Sequence, residues 1–239
     1  MRLQAGRGFA SPGPSSVIAS VFEAAEAMDR AVLELLDQLA SKKPSPAAGA
    51  VAALSLAQGA ALGLKAVRVS LTSRADGPEK SRLLTAEAAL VRVIEQAIPK
   101  FDEDVQAVQA LMTHFKTRRH HRRGSAGPHP TQGALDDAMR VPMSILSLAG
   151  EGLAALESVT TITKRALTCE SGASAKLMWA AAEISHSVLL NNAVWLEEHR
   201  DWSSTLARAD HARTAAKSCY ETVDTVVKTD LEDQSPNRI

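Results

Sequence analysis

The feature that most constrains this chain is a stretch of small, uncharged residues at positions 44–64. Twelve of the residues at 47–64 are Ala, Gly or Ser. The pattern predicts an α-helix from Pro46 to about Ser73, with Ser45 as its N-cap. Each glycine inside it costs up to about 1 kcal/mol. Close approach of a neighbouring helix, or of a ligand at the helix start, must offset that cost.

The composition points to the same fold class. The chain has 239 residues, of which 45% are apolar and only 3% aromatic. Such a chain suits closely packed helices better than a β-sandwich. Although the stretch at 44–64 has the length of a membrane span, its Ala and Gly content and Gln58 predict a buried helix of a soluble domain.

Apolar residues recur at helical spacing along most of the chain, and no period-2 strand pattern exceeds four residues. Helices are expected at about 16–40, 46–73, 78–112, 134–157, 173–199 and 203–228, with a kink or a split at Pro99 and an interruption near Pro142. Residues 116–133 are predicted to form a loop. The prediction is an all-α antiparallel bundle of about six to eight helices. It forms one domain over residues 16–228, with a disordered N-terminal segment at 1–15 and a flexible tail at 229–239.

The charge balance excludes several classes of function. The 27 basic and 27 acidic side chains cancel, which disfavours a general nucleic-acid binder and a polybasic membrane anchor. Cys169 and Cys219 form no disulfide framework, and no secretory signal precedes the helices. We therefore expect a cytoplasmic protein. The basic run at 116–123 is expected to be a solvated loop or a lid that attracts an anionic substrate.

Several sequence segments occur in the same order and at a similar spacing as in a known protein family. The turn at residues 44–50 reads PSPAAGA and is followed by AQGAALG. FDEDVQAV comes next, with Asp104 as its second aspartate, then the element Val-Pro-Met at 141–143, and finally AAAEISHSVLLNNAVWL. This arrangement resembles the cyclodeaminase/cyclohydrolase family of folate enzymes over about residues 31–198.

The chain departs from the family pattern at positions that cluster around the family's pocket. Two turn glycines are Ala47 and Ala48, and the following serine is alanine as well. An acid that follows a serine before the late helix is missing, because Ala175 stands in its place. The late Asn-Val-x-x-Asn element keeps Asn191, but its second asparagine is Trp195.

The resemblance implies an enzyme that interconverts 5-formimino-, 5,10-methenyl- and 10-formyl-tetrahydrofolate. Asp104 would be the general acid/base, because moving protons between two nitrogens needs one partly buried carboxyl near the reacting carbon. The turn at 45–49 would hold the pterin carbonyl or the glutamate tail, and Asn191 would hydrogen-bond the ligand. No metal or redox cofactor is expected. The resemblance also implies a homodimer whose active site lies between the two protomers.

The substrate-binding positions predicted on this basis are Lys42, Lys43, Ser45, Ala47, Ala48, Gly49, Lys65, Arg68, Asn191 and Trp195. Each has a plain alternative. The turn could be an ordinary capped helix start, and Asp104 a surface acid. Lys65 and Arg68 share a helix face, and either bind an anionic substrate or pair with acids on a neighbouring helix.

His186 is the second catalytic candidate, as an acid/base partner for Asp104. Its alternative is a packed or solvent-facing histidine. Glu183 and His186 also form a Glu-x-x-His pair, but a di-iron bundle needs a second pair, and the sequence contains none.

The sequence is also compatible with two other functions. The departures suit a diverged cyclase, hydrolase or lyase that acts on another anionic molecule, and they also suit a catalytically silent binding subunit. The shape of the pocket separates the three. A flat slot lined by Asp104 and Asn191 favours folate, and a small basic pocket around Lys65 and Arg68 favours the diverged enzyme. A pocket filled by Trp195 favours the silent subunit.

Overall fold

The computed structural model describes residues 30–121, 132–196 and 200–233. The segment predicted to be disordered, and the first part of the predicted first helix, lie outside these residues. The chain divides after Pro46 into two units. In the first unit, α1 spans Arg30–Ala40 and carries an exposed ion pair between Arg30 and Glu34.

The second unit is a bundle of five long helices within the part that the structure describes. Its helices are α2 (Ala48–Leu71), α3 (Pro78–His121), α4 (Gln132–Glu157), α5 (Thr168–Leu196) and α6 (Ser203–Asp233). Two short 3-10 turns, Thr160–Ile162 and Arg165–Leu167, connect α4 to α5. The described residues contain no strand, so the predicted all-α fold is confirmed.

Consecutive helices of the bundle run antiparallel. The start of α2 meets the C-terminal half of α3, where the Ala50 N–H contacts Asp104. The end of α2 meets the N-terminal half of α3, where Arg68 pairs with Glu87. The same reversal relates α3 to α4, α4 to α5 and α5 to α6. The short connections of the chain favour this arrangement.

The glycines of α2 allow its neighbours to approach closely. A Cβ on Gly59 would lie 2.8 Å from Met178 Cγ and 3.0 Å from the Ser174 carbonyl oxygen. A Cβ on Gly63 would lie 2.7 Å from Ser174 Oγ, and that hydroxyl donates to the Gly59 carbonyl at 2.7 Å. The helix–helix packing predicted to offset the glycine cost is therefore observed between α2 and α5.

The structure differs from the prediction at several helix boundaries. α3 continues through Pro99 to His121, so residues 116–121 are helical rather than part of a loop, and residues 122–131 lie outside the described part. A proline removes one hydrogen bond, to the carbonyl four residues earlier. Here that residue is Glu95, and because both residues are exposed, water can replace the lost donor. α6 likewise continues beyond the predicted end of the last helix, to Asp233.

Two helical stretches have the length and hydropathy of membrane spans. They are Ala48–Leu71 and Gly133–Ile162, and 56% of the apolar window in each is buried inside the structure. For α2, that burial against α3 and α5 is the packing that the small residues predicted.

Candidate active site

The site begins where α2 starts. A helix start leaves the N–H groups of its first turn without partners in the helix. Here the Ala50 N–H donates to Asp104 Oδ2 of α3 at 2.9 Å, in a buried hydrogen bond. A Cβ on Gly49 would lie only 2.0 Å from Asp104 Oδ1. Glycine at this position is therefore what allows the carboxyl to reach the helix start.

Asp104 is buried, with 4% of its surface exposed, so it is not a surface acid. Burial raises the pKa of Asp104 above its usual value, because the charged form loses water. The hydrogen bond from the Ala50 N–H opposes part of this rise in pKa. A carboxyl whose pKa is raised in this way exchanges protons closer to neutral pH than an exposed carboxyl does.

A cavity of about 220 Å³ opens in front of this carboxyl. Its polar lining consists of Asp104, Asp137, Asn191 and Asn192, while Ala47, Ala48 and Gly49 contribute the start of α2. Apolar side chains of α3, α4 and α5 complete the wall. Ligand pockets for drug-sized molecules typically measure roughly 300–1,000 Å³. This cavity therefore suits one end of such a molecule.

Pro142 lies in the cavity wall without interrupting α4, contrary to the expected break. Having no N–H, Pro142 cannot bond to the carbonyl of Ala138, four residues earlier. The side chain of Asn192 takes over this role, because its Nδ2 donates to the Ala138 carbonyl at 2.8 Å. The proline and the asparagine thus form one structural unit, which fixes α4 against α5 beside the cavity.

Asp137 is the second carboxylate of the cavity, and its side chain is half-exposed, at 50%. Arg140 donates to Asp137 Oδ1 through Nε at 3.1 Å and through Nη2 at 2.9 Å. Arg140 also donates to Glu103 Oε2 at 3.2 Å. The guanidinium is therefore shared between two acids on neighbouring helices.

The charge of the lining limits the ligand. Two carboxylates line the cavity, and no Lys or Arg is among its described lining residues. Such a wall is complementary to a neutral or cationic group and opposes an anionic one. The remainder of the wall is apolar, as is usual for sites that bind flat organic rings.

A second, wider hollow of about 410 Å³ lies around Trp202 at the start of α6. Its charged side chains are engaged, because Arg200 stacks on the Trp202 ring and Asp201 accepts from Ser203. The Asp104 cavity is the better candidate for an active site, since a buried carboxyl with a raised pKa is the group that acid–base catalysis requires.

The structure brings together about half of the predicted site residues. Asp104, Ala47, Ala48, Gly49 and Asn191 all line the one cavity. The N-cap of α2 is Ala47, which makes no side-chain cap hydrogen bond, rather than the predicted Ser45. Lys42, Lys43 and Ser45 belong to the first unit, which ends at Pro46.

Lys65 and Arg68 do not line the cavity. Lys65 Nζ pairs with Glu170 at 2.8 Å, and Arg68 Nε pairs with Glu87 at 2.7 Å. Both cations are more than half exposed. The ion pairs with acids on neighbouring helices, which were the alternative interpretation, are present.

His186 and Trp195 also lie outside the cavity lining. His186 Nε2 contacts Asp210 Oδ1 of α6 at 2.7 Å, so the structure pairs this histidine with Asp210 rather than with Asp104. Trp195 is 65% exposed and does not fill the cavity. Nearby, Glu183 pairs with Arg213. Among the described residues, no group of three His, Cys, Asp or Glu side chains is arranged to hold a metal.

Sequence reasoning missed Asp137 and Asn192. Asp137 precedes Arg140 by three residues, a spacing that usually marks an ordinary surface ion pair. The signal for Asn192 was Pro142, because a proline inside a helix frees a carbonyl that needs another donor. That donor could be identified only once α5 was known to pack against α4.

The chain is similar to known proteins in sequence and in fold. A family model described as formiminotransferase-cyclodeaminase matches residues 31–211. Among solved structures, the chain is similar to formiminotetrahydrofolate cyclodeaminase from Thermotoga maritima, with a TM-score of 0.61 and 21% sequence identity. The similarity covers 86% of this chain and 98% of that one. No curated protein matches.

Proposed function

The chain belongs to the formiminotransferase-cyclodeaminase family, and from that premise we propose that it converts 5-formiminotetrahydrofolate to 5,10-methenyltetrahydrofolate and ammonia. The observation that carries the proposal is the buried carboxyl of Asp104 at the wall of an apolar cavity. The reaction closes a ring by moving one proton between two nitrogens. One positioned carboxyl with a raised pKa is suited to that task.

The steps balance with Asp104 as the only proton carrier. The N10 nitrogen attacks the formimino carbon, a C–N bond forms, and the iminium nitrogen becomes an amine. Asp104 accepts the proton that N10 loses and then donates it to that amine. The amine leaves as ammonia while the methenyl cation forms, and Asp104 returns to its ionised state.

The remainder of the lining fits the same substrate. The formimino group is an amidinium and the methenyl product is also a cation, so both complement a cavity lined by two carboxylates. Asn191 supplies an amide for hydrogen bonds at the same wall. A cavity of about 220 Å³ holds the reacting end of a folate, and the glutamate tail extends beyond it.

This charge pattern does not favour the diverged enzyme for an anionic substrate. The cations that would bind such a substrate, Lys65 and Arg68, are paired with acids away from the cavity. Hydrolysis of the methenyl bridge to a formyl group uses the same proton transfers with water in place of ammonia. We treat it as a second reaction of the same site.

We also propose that the protein is a homodimer. Leu190, Val194 and Trp195 of α5 expose 44%, 73% and 65% of their surface, and a group of apolar side chains of this kind often marks an interface. Light scattering of the purified protein tests this part. A mass near 50 kDa, twice the 25.4 kDa of one chain, is expected, and a mass equal to that of one chain would refute it.

The function is tested by supplying 5-formiminotetrahydrofolate and following both methenyl absorbance and released ammonia. Equal initial rates of the two products are expected, because later hydrolysis would remove methenyl compound and leave the ammonia. Supplying 5,10-methenyltetrahydrofolate alone measures the hydrolysis to the formyl compound separately. The proposal fails if the folded protein produces neither product. Tryptophan fluorescence that stays unchanged with reduced folates would show in addition that the protein does not bind them.

A further inference from the structure

Asp137 presents one oxygen to its cation, and its other oxygen has no donor among the described residues. Both hydrogen bonds from Arg140 go to Oδ1. No described residue donates to Oδ2. Because Asp137 lines the cavity, a ligand inside it can reach this carboxylate. Two donors of one guanidinium on the same oxygen fix the orientation of the carboxylate.

Arg140 does not cancel the charge of Asp137 by itself. Its Nη1 donates to Glu103 Oε2, and Lys100 Nζ donates to the other oxygen of Glu103 at 2.6 Å. Arg140 therefore interacts with two acids and neutralises Asp137 only in part. The remaining negative charge of Asp137 can attract a ligand. With a side chain 50% exposed, Asp137 lies toward solvent, whereas Asp104 lies deep.

We propose that Asp137 is a substrate-binding residue of this cavity, whose open oxygen holds the positively charged one-carbon group of the folate. The proposal rests on the proposed function and adds a residue to it. Asp104 must give up its charge while it carries the proton, so it cannot stabilise the cation through every step. Asp137 takes no part in that proton transfer, so its carboxylate can face the cation at every step.

Charge recognition predicts a specific pattern of inhibition and kinetics. The 5-formyl analogue carries oxygen in place of the iminium nitrogen and is neutral at that position. In Asp137→Asn, Oδ1 can still accept from Arg140, while an uncharged amide replaces the open oxygen. The variant should raise KM for the formimino substrate about tenfold. Its kcat and the inhibition constant of the 5-formyl analogue should stay within about twofold.

The chain offers a matched control one residue earlier. Asp136 pairs with Arg200 at 2.7 Å and does not line the cavity. Asp136→Asn should leave KM and the inhibition constant unchanged. Circular dichroism confirms that both variants are folded.

Two results would overturn the role of Asp137. Equal weakening of substrate and neutral analogue would show an effect of shape rather than of charge, and an unchanged KM would show that the carboxylate does not bind the substrate. Both leave the proposed function intact, because wild-type turnover persists. Loss of the proposed function itself would appear differently, as the absence of wild-type turnover.

Discussion

Two parts of α2 consist of the same small residues but have different roles in the structure. At the start of the helix, Gly49 leaves room for the Asp104 carboxyl, and a Cβ there would lie 2.0 Å from its oxygen. In the middle, Gly59 leaves room for Met178 and for the backbone of α5. The first gap holds a titratable group beside a cavity, and the second is filled by apolar packing.

A stripe of small residues along a helix therefore does not have a single structural role. What distinguishes the two gaps is the partner that enters them. A partner with a charge needs hydrogen bonds, which the helix start supplies through the Ala50 N–H. A mid-helix position has no free N–H to offer, so it accepts apolar groups or a hydroxyl such as that of Ser174, which donates to a carbonyl.

The largest effect is expected from Asp104→Asn. The amide can still accept from the Ala50 N–H, but it cannot carry the proton, so turnover should fall by roughly 10²–10⁴-fold. Methenyl absorbance measures this loss. Asp102 is exposed and does not line the cavity, so Asp102→Asn is the control. Comparable losses in both variants would remove Asp104 from its assigned role.

The packing gap is tested by Gly59→Ala. Overpacking should lower the free energy of unfolding by about 1–3 kcal/mol, because the new methyl meets backbone atoms of α5. Gly152→Ala provides a milder comparison. Its new methyl would lie 2.6 Å from the Met178 sulfur, but the end of that flexible side chain can move away. Urea denaturation should therefore rank Gly59→Ala as the more destabilising change. The reverse order would contradict this account of the packing.

The pH dependence of stability tests the raised pKa of Asp104. In the window from pH about 4 up to the raised pKa, the folded state keeps a proton that the unfolded state has lost. The wild type therefore loses stability relative to Asp104→Asn as pH rises through that window, by at most about 1.4 kcal/mol per pH unit. Urea denaturation of both proteins at several pH values measures the difference. A difference in the opposite direction would mean that the pKa is lowered.

The smallest effect is expected from Arg68→Ala. The ion pair with Glu87 is exposed, with 58% of the arginine side chain accessible, so the loss should be about 0–1 kcal/mol. Turnover and KM should not change, because Arg68 lies outside the cavity lining. A large rise in KM would instead support an anionic substrate that binds at the face of α2 that carries Lys65 and Arg68.

The sequence was sufficient to predict the bundle and one side of the site. Helical periodicity and the glycine content of α2 predicted close packing, and the segment resemblance pointed to Asp104 and to the turn that contains Gly49. The predicted split at Pro99 and the interruption at Pro142 do not occur, because the groups that compensate for these prolines are not local. Water can do so at Pro99, and Asn192, fifty residues away in the chain, does so at Pro142.

The charged residues were the hardest to assign. Lys65, Arg68 and His186 have the residue types of functional groups, yet each contacts an acid on a neighbouring helix. Asp137 has the spacing of a surface ion pair, yet it lines the cavity. Which face of a helix is turned to a cavity depends on the tertiary packing, and periodicity alone does not determine it.

The most direct test of the central claim compares Gly49→Ala with Gly59→Ala by turnover per folded molecule. Both add one methyl to α2 at a close contact, so both should cost stability. Only Gly49→Ala should lose about a hundredfold in the rate of methenyl formation, because it displaces the Asp104 carboxyl. Equal rates for the two variants, once the unfolded fraction is corrected for, would contradict the assignment of the start of α2 to catalysis.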